Sequence, residues 1–252
     1  MDEVRVEREG SVGIIVLAAP ERKNVLTGQM SRRICEACSE LESDASIGAI
    51  VIRAEGEAFC GGADKAVIEE AAKAPLDEGA RAAIEAIYDA FLSIGRSSVP
   101  TLAAVRGQAF GGGFNLALAA DIRIVAEDAL LMSGFGRAGL HPGGGHFHLL
   151  GRCGSQATAA AIALFGRPVS GKRAAQLGLA WEAVPSADVD KKAIEIAQSA
   201  AKNPVQTRAF VKSFRSTFGP PALPWDEALT IEAFAQTISL HQMSQARGNR
   251  DV

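Results

Sequence analysis

The stretch VPTLAAVRGQAFGGGFNLALAADIRIVAE (residues 99–127) decides the fold class. Pro100 precedes TLAAVRG, a short run without polar alternation, which predicts a buried strand. The glycine run Gly111–Gly113 leads into FNLALAA, which predicts a helix, and DIRIVAE, beginning at Asp121, predicts a second buried strand. Short buried strands of this kind are typical of parallel sheets in α/β proteins.

The same pattern extends outward from this stretch. Further strands are predicted at 4–9, 12–18, 49–54 and 179–185, the first two joined as a hairpin at Gly10-Ser11. Helices are predicted at about 27–42, 65–74, 77–95, 146–165 and 170–178, with a break near Pro75 and a loop over 55–64. From about residue 189 the pattern is helical only, and it includes a long helix after GPPALP. We therefore predict an α/β core over residues 1–188 and a helical region over 189–252.

Composition and charge exclude several classes of protein. The 252 residues are 48% hydrophobic, too apolar for a disordered chain, and the longest uncharged stretches are too short to span a membrane. The net charge of −3 is spread along the chain, so no basic face for nucleic acid is expected. The charged amino terminus, MDEVRVEREG, does not resemble a secretory signal, and we expect a cytoplasmic protein.

Two motifs have both a functional and a structural interpretation. Cys35 and Cys38 form a C-x-x-C that could be redox-active or half of a metal site, but they lie on a predicted amphipathic helix with no second ligand pair. GRPVSGKR (166–173) is close to a phosphate loop, but Arg173 stands where a Mg²⁺-binding hydroxyl is needed. We favour partly buried, reduced thiols for the first and a helix beginning at Ser170 for the second.

Two glycine runs, Gly111–Gly113 and Gly143–Gly145, have two equally good explanations. A glycine run between a buried strand and a helix can direct free backbone N–H groups at a ligand, with the helix dipole behind them. It can equally allow one backbone to pack closely against another. The sequence alone does not distinguish the two explanations.

A wider set of motifs carries a resemblance to a known family. AFCGGAD (58–64) together with residues 99–127 resembles the crotonase, or enoyl-CoA hydratase/isomerase, superfamily. PERKNVL (20–26), GLHPGGG (139–145) and SGKRAAQLGLAWEAVP (170–185) follow in the order and spacing of that family. The resemblance covers about residues 4 to 240.

The resemblance implies a fold, an assembly and a chemistry. It implies a core of repeated ββα units wound as a spiral, and a helical carboxyl-terminal region that builds homotrimers or dimers of trimers. It implies an acyl-CoA substrate whose thioester oxygen lies in an oxyanion hole of two backbone N–H groups. By position those donors are Ala63 and Gly112, where small residues let the thioester approach the main chain. One such donor is typically worth roughly 3–4 kcal/mol in the transition state.

The resemblance also implies a set of coenzyme A contacts. The bound CoA of this family bends around the loop after the second strand and passes the first oxyanion donor. The residues at the matching positions are Arg22, Lys23, Val25, Gly61, Asp64 and Lys65. Arg22 and Lys65 could meet the CoA phosphates, or both could simply be solvated. CoA enters as part of the substrate, and no separate cofactor is expected.

The sequence departs from the family at both hydratase glutamates. The first acid of the family falls at Asn115, and the second aligns with Phe135. Asn115 can orient a water but cannot accept its proton at neutral pH, and Phe135 makes its wall of the pocket apolar. Between Ala129 and Pro185 the only acidic residue is Glu182. A two-glutamate hydratase or a one-acid isomerase is therefore disfavoured.

Three histidines near the second glycine run are candidate substitutes. His141 precedes this run, while His146 and His148 begin the next helix on different sides of it. Histidine titrates near pH 7 and is the commonest general base, so His141 and His146 are the candidates for catalysis. Without a carboxylate partner the three are not expected to form a metal site.

The leading hypothesis is an acyl-CoA enzyme of this family that keeps the oxyanion hole, stabilises an enolate and uses non-standard acid and base residues. Slow hydration, or cleavage of a C–C or thioester bond, would fit. The alternatives are an acyl-CoA-binding protein that has lost catalysis and, with less support, a fold that serves only in assembly. Phe110, Phe114 and Phe135 suggest a non-polar acyl group.

Overall fold

The computed structural model describes residues 2–73 and 77–219, and within these ranges it contains ten strands and nine α-helices. The strands are β1 (Val4–Glu9), β2 (Val12–Leu17), β3 (Ala49–Ala54), β4 (Ala58–Cys60), β5 (Thr101–Val105), β6 (Gln108–Phe110), β7 (Ile122–Ala126), β8 (Leu130–Met132), β9 (Val169–Ser170) and β10 (Glu182–Val184). The helices are α1 (Gly28–Ser43), α2 (Lys65–Lys73), α3 (Glu78–Gly95), α4 (Gly112–Ala119), α5 (His146–Cys153), α6 (Gln156–Ala163), α7 (Gly171–Gln176), α8 (Val189–Ala200) and α9 (Pro204–Phe218). The break predicted at Pro75 and the helix predicted after GPPALP lie outside the described residues.

The strands form two sheets that the chain visits in turn. The larger sheet has the order β1-β2-β3-β5-β7-β10, with β1 and β2 antiparallel and the remaining neighbours parallel. The smaller sheet has the order β4-β6-β8-β9, in which β9 is antiparallel to β8. Each of β3, β5 and β7 is followed by a strand of the smaller sheet and then by helix. This arrangement is the repeated ββα spiral, so the predicted fold class is confirmed.

The strands of the smaller sheet are the main difference from the sequence predictions. β4 lies within the segment 55–64 that was predicted as a loop, and β6 lies in the turn that leads to the glycine run. Three residues are too few to show the alternation that identifies a strand. Their conformation is set by parallel pairing of Ala58 with Gln108 and of Ala109 with Leu131, partners that are distant in sequence.

Helix α4 lies at the centre of the molecule. All eight of its residues are buried, as expected for a helix that is apolar on every side. Its close approach to β4 depends on Gly113, because a Cβ atom there would lie 2.3 Å from the carbonyl oxygen of Cys60. Tight backbone packing therefore explains Gly113. The preceding glycine, Gly112, is the first residue of the helix.

The predicted helix over 146–165 is two helices. α5 ends at Cys153, and Ser155 begins α6 by accepting a hydrogen bond on its hydroxyl from the Thr158 amide at 3.1 Å. The predicted cap at Ser170 is confirmed, because its hydroxyl accepts from the Arg173 amide. The near-match to a phosphate loop is thus the start of α7. A Cβ atom at Gly171 would lie 1.8 Å from the Ala126 carbonyl oxygen, so this glycine serves close packing.

The cysteines are free thiols held in the core or at its edge. Cys35 is half-buried and Cys38 is buried on the inner face of α1, where its thiol donates to the carbonyl oxygen of Ser93 at 3.3 Å. Burial raises the pKa of Cys38 to about 12, so its thiol stays protonated at neutral pH. Among residues 2–73 and 77–219, no helix is both long and apolar enough to cross a bilayer.

Candidate active site

Two loops meet at the amino terminus of α4. In the first loop, the Leu26 amide donates to the Gly62 carbonyl at 2.7 Å, and the Asp64 amide donates to the Leu26 carbonyl at 3.0 Å. The Gly61 amide donates to the Lys23 carbonyl at 2.8 Å. This short parallel bridge between Leu26 and Ala63 uses the Gly62 carbonyl and the Asp64 N–H, and it leaves the Ala63 N–H outside the ladder.

Glycines bring the first loop against the second. Gly62 has φ +98°, which side chains disfavour, and a Cβ atom there would lie 2.8 Å from the Phe110 carbonyl oxygen. Gly111 has φ +50° and turns the chain from β6 into α4. Both positions require glycine, because each combines a positive φ with a close neighbour or a sharp turn.

The result is a pair of adjacent backbone donors. A Cβ atom on Gly112 would lie 3.4 Å from the Ala63 nitrogen, and one on Gly62 would lie 3.6 Å from the Gly112 nitrogen. Among the described residues, no hydrogen bond engages either N–H group. Because Gly112 is the first residue of α4, the positive end of the helix dipole adds to this donor. Such a pair can hold one anionic oxygen.

Both donors open into a cavity of about 440 Å³. Small residues and apolar side chains make up most of its wall: Gly61, Gly62, Ala63, Ile68, Phe110, Gly111, Gly112, Met132, Gly134, Phe135, Ala138 and Leu140. Lys65 and Arg137 are the two charged residues of the lining. Among the described residues, no Asp or Glu lines the cavity. The lining offers hydrogen-bond donors but no acid for proton transfer.

Asn115 does not face this cavity. It is buried, its Nδ2 donates to the Gly143 carbonyl at 2.9 Å, and its Oδ1 lies 2.7 Å from Nδ1 of His146. The amide therefore joins α4 to the second glycine run and to α5. No water-binding role for Asn115 follows from these contacts.

The bonds of Asn115 also define the protonation of His146. Because Nδ2 of Asn115 donates to Gly143, its Oδ1 is the acceptor for His146, and the imidazole Nδ1 must carry the hydrogen. Nε2 of the neutral ring then has a free lone pair, and it is buried with no hydrogen-bond partner among the residues that the structure describes. An unpartnered buried acceptor is costly, which makes Nε2 a candidate for proton exchange.

His146 lies in an apolar layer directly behind the cavity wall. Its ring centroid is 5.0 Å from that of Phe135, which lines the cavity, and 6.2 Å from that of Phe114. Burial lowers the pKa of His146 to about 4, from an ordinary value of 6.5. The imidazole is therefore neutral at physiological pH and can act as a base.

This lowered pKa predicts a pH-dependent stability. Below pH 6.5 the unfolded chain binds a proton at residue 146 that the folded chain binds only near pH 4, so folding is disfavoured as the pH falls through this window. Relative to His146→Gln, the wild type should lose about 2 to 3 kcal/mol of unfolding free energy between pH 7.5 and 4.5. Urea denaturation of both proteins at the two pH values measures this difference. The control variant His148→Gln changes an exposed imidazole and should show the pH dependence of the wild type. If the stability of wild type and His146→Gln changed equally with pH, the lowered pKa of His146 would be wrong.

The other two histidines lie apart from His146. His141 is exposed, and its Nδ1 donates to the Pro142 carbonyl at 2.8 Å. His148 is exposed on the other side of α5, in a separate cleft with Arg152 and Arg215. Neither lines the cavity of the backbone donors. In the described ranges, no three His, Cys, Asp or Glu side chains are grouped as metal ligands.

The candidate CoA residues divide into two groups. Gly61 and Lys65 line the cavity, and Lys65 is exposed although it pairs with Glu69 at 3.0 Å. The other candidates have structural contacts. Arg22 forms an ion pair with Glu3, Lys23 turns the loop with φ +52°, Val25 lies against Gly61, and Asp64 accepts from the Ala66 amide at the start of α2.

Several residues of the cavity belong to no sequence motif. Ile68 belongs to α2, Met132 ends β8, and Arg137, Ala138 and Leu140 follow Phe135 on a short 3₁₀ turn and loop. Their spacing carries no motif. Arg137 alone has a signal in the sequence. It is a charged residue two positions after Phe135, in the segment that aligns with the second acid of the family.

Comparison with known proteins places this chain in a family. The sequence model of the enoyl-CoA hydratase/isomerase family matches residues 7–249. A probable enoyl-CoA hydratase of Mycobacterium tuberculosis is 34% identical over 239 residues, covering 95% of this chain and 90% of the relative. The crystal structure of an enoyl-CoA hydratase from Polaromonas sp. JS666 is 26% identical and superimposes with a TM-score of 0.88, over 98% of this chain and 95% of that one. A structure from Thermobifida fusca YX, described as a putative enoyl-CoA hydratase in complex with acetoacetyl-CoA, is 26% identical with a TM-score of 0.83, over 96% of each chain. The chain belongs to the enoyl-CoA hydratase/isomerase family.

Proposed function

We propose that this protein is an acyl-CoA thioester enzyme that polarises the thioester carbonyl between the N–H groups of Ala63 and Gly112. The observation that carries the proposal is the pair of adjacent, unengaged backbone donors at the start of α4, open to a cavity. Support comes from the similar Thermobifida fusca structure, which is described as a complex with acetoacetyl-CoA.

The two donors stabilise charge that develops during the reaction. When a proton leaves the α-carbon, or a nucleophile adds at the β-carbon of an enoyl group, negative charge moves onto the thioester oxygen. Both N–H groups then bind an enolate oxygen more strongly than a neutral carbonyl, and each contributes about 3 kcal/mol to the transition state. This part of the mechanism needs no acidic side chain.

His146 is the proposed base, with Asn115 as its positioning residue. Asn115 holds the Nδ1–H tautomer, and burial keeps Nε2 unprotonated. In the proposed reaction the Phe135 ring turns aside when substrate binds. In hydration, Nε2 takes a proton from the water that adds to the β-carbon and returns it to the α-carbon of the enolate. The imidazole of His141 is exposed outside the cavity, so it would reach the substrate only after a movement of its loop.

A second candidate function is acyl-CoA binding without turnover. The observation that favours it is the cavity lining, which among the described residues has no carboxylate and has Phe135 between the acyl site and His146. A family-type C–C or thioester hydrolase is the third possibility, since enolate stabilisation serves that chemistry too.

The proposed CoA contacts and assembly follow from the resemblance. Lys65 is the best-placed partner for the CoA phosphates, as a cation that lines the cavity and is itself exposed. We propose a homotrimer or a dimer of trimers, for which Phe210, Phe214 and Phe218, exposed on α9, supply apolar surface. The cytoplasmic location stays a prediction. The division at residue 189, where α8 begins, stays a prediction.

Hydration of crotonyl-CoA, followed by loss of the enoyl-thioester absorbance, tests the proposal. The wild type should turn over, and His146→Gln should lower kcat by about 10²- to 10⁴-fold with an unchanged Kd for butyryl-CoA, because only proton transfer is removed. Asn115→Asp should raise the pKa of His146 and move the acidic limb of the kcat/KM profile to higher pH. His148→Gln is the matched control and should behave as wild type.

The possible failures separate the candidates. Tight butyryl-CoA binding with no turnover of enoyl, β-dicarbonyl or simple acyl thioesters would identify a binding protein. Full activity of His146→Gln would reject the proposed base and keep the oxyanion hole. Failure of every CoA thioester to bind would reject both functions.

A further inference from the structure

The cavity of the backbone donors is lined by positive charge. Lys65 and Arg137 are its charged residues, and among the described residues no Asp or Glu lines it. The amino terminus of α4 adds the positive end of a helix dipole at Gly112. The whole chain has a net charge of −3, so the charge of the lining is opposite in sign to that of the protein. A cleft lined by one sign of charge attracts ligands of the other sign.

The two cations of the lining differ in their partners. Nζ of Lys65 lies 3.0 Å from a carboxylate oxygen of Glu69, so a neighbour compensates part of its charge. The side chain of Arg137 forms no ion pair and no hydrogen bond with the residues that the structure describes. It is exposed, and its guanidinium can therefore bind a ligand without first breaking a contact within the described chain.

A short turn holds Arg137 beside Phe135. Arg137 is the middle residue of the 3₁₀ turn Gly136–Ala138, which directly follows Phe135. The Leu140 amide donates to the Phe135 carbonyl at 3.0 Å and closes the segment behind the turn. Lys65 instead begins α2, after the loop of the first donor. The two cations therefore belong to different parts of the lining.

The aromatic residues of the lining lie closest to the donors. Phe110 directly precedes Gly111, and a Cβ atom on Gly111 would lie 3.9 Å from Cζ of Phe135. Phe114, the third aromatic residue of this region, is buried within α4 and is not part of the lining. The apolar contacts are thus next to the thioester position, and the charge of Arg137 comes two residues beyond Phe135.

The residues that align with the two hydratase glutamates, Asn115 and Phe135, are both uncharged. A glutamate facing the cavity would repel a carboxylate on the acyl group, and such repulsion excludes a ligand effectively. In this chain an anionic acyl group meets a lining that is cationic or neutral at every described position.

We propose that the acyl group of the substrate ends in a carboxylate and that Arg137 binds this carboxylate. The inference rests on the proposed function, since it starts from a thioester oxygen held by Ala63 and Gly112. The carbons next to the thioester contact the aromatic residues, and the carboxylate at the far end meets the guanidinium. Arginine presents two parallel N–H groups that match the two oxygens of a carboxylate, so it distinguishes an acid from a methyl group.

Dissociation constants of matched acyl-CoA pairs, measured by calorimetry, test the inference. Glutaryl-CoA is compared with pentanoyl-CoA, and adipyl-CoA with hexanoyl-CoA, so that each pair has equal carbon number and differs in the terminal carboxylate. In at least one pair, the wild type should bind the diacid thioester as tightly as its neutral partner or more tightly. Arg137→Gln should weaken binding of that diacid thioester by about tenfold or more and leave its neutral partner within about twofold.

Two further variants complete the test. Arg137→Lys keeps the charge but not the paired N–H groups, and it should give an intermediate loss with the diacid thioester. Arg173→Gln is the matched control, because it changes an exposed arginine on α7 outside the cavity lining and should bind every ligand as the wild type does. Thermal melts of all variants should match that of the wild type.

The failures are distinguishable from one another. An equal loss for both members of a pair in Arg137→Gln would overturn the inference, because Arg137 would then meet the CoA phosphates that both ligands share. Unchanged affinities in Arg137→Gln would overturn it too, as would weaker binding of both diacid thioesters than of their neutral partners by the wild type. Each of these results leaves the proposed function intact as long as pentanoyl-CoA binds. Absence of binding by all four thioesters would reject the proposed function itself.

Discussion

Gly112→Ala should lower kcat by about 10²- to 10³-fold, the loss expected when one oxyanion donor is blocked. The added methyl group would lie 3.4 Å from the Ala63 nitrogen, in the space that a thioester oxygen must enter to reach both N–H groups. Its other neighbours, Leu26 Cδ1 and Phe91 Cζ, are each 3.5 Å away, an ordinary van der Waals contact. Alanine is also well accepted in the first turn of a helix. The loss should therefore appear in activity and not in folding.

Two measurements check this result. The first is kcat with crotonyl-CoA beside a thermal melt of the same protein, which should be close to that of the wild type. The second is the Kd of acetoacetyl-CoA, whose enolate form should bind at least tenfold more weakly to the variant. Gly151→Ala is the matched control, because a Cβ atom there meets nothing within 4 Å on α5. Unchanged kcat and Kd in Gly112→Ala would show that these two N–H groups do not hold the thioester.

Gly113→Ala, one residue further on, should instead unfold the protein more easily. Its Cβ atom would lie 2.3 Å from the carbonyl oxygen and 2.7 Å from the Cβ atom of Cys60, closer than non-bonded atoms approach. Both contacts belong to β4, so α4 would have to move away from the smaller sheet. Overpacking of this kind costs about 3 kcal/mol, which for a chain of this length lowers Tm by about 10 °C.

Calorimetry and urea denaturation of Gly113→Ala measure this loss, with Gly151→Ala again as the control. The control should be as stable as the wild type or slightly more so, because alanine favours helix over glycine. Wild-type stability of Gly113→Ala would mean that α4 and β4 are not in the close contact described. Gly113 would then not be a packing position, whatever the activity of Gly112→Ala.

The elements that could be predicted from the sequence are those with a strong local signal. The hairpin of β1 and β2, the buried strands β3, β5 and β7, and α1 with its cap at Thr27 all lie where predicted. Each has enough residues for a periodic pattern or a recognised cap. The family also follows from the motifs, and the structure places Ala63 and Gly112, the donors that the resemblance implies, side by side. Their role in the reaction stays a prediction.

What the tertiary structure alone decided is what depends on contacts between distant segments. β4, β6 and β8 have three residues each and are strands because they pair with one another. The sequence favours His141 over His146 as the candidate base, yet packing leaves His141 exposed and buries His146. The sequence shows only that Asn115 can orient a water; its contact with His146, 31 positions away, is a feature of the tertiary structure. Local residue patterns determine helices, strands and glycine turns, whereas the burial and protonation of a side chain depend on what the whole chain packs around it.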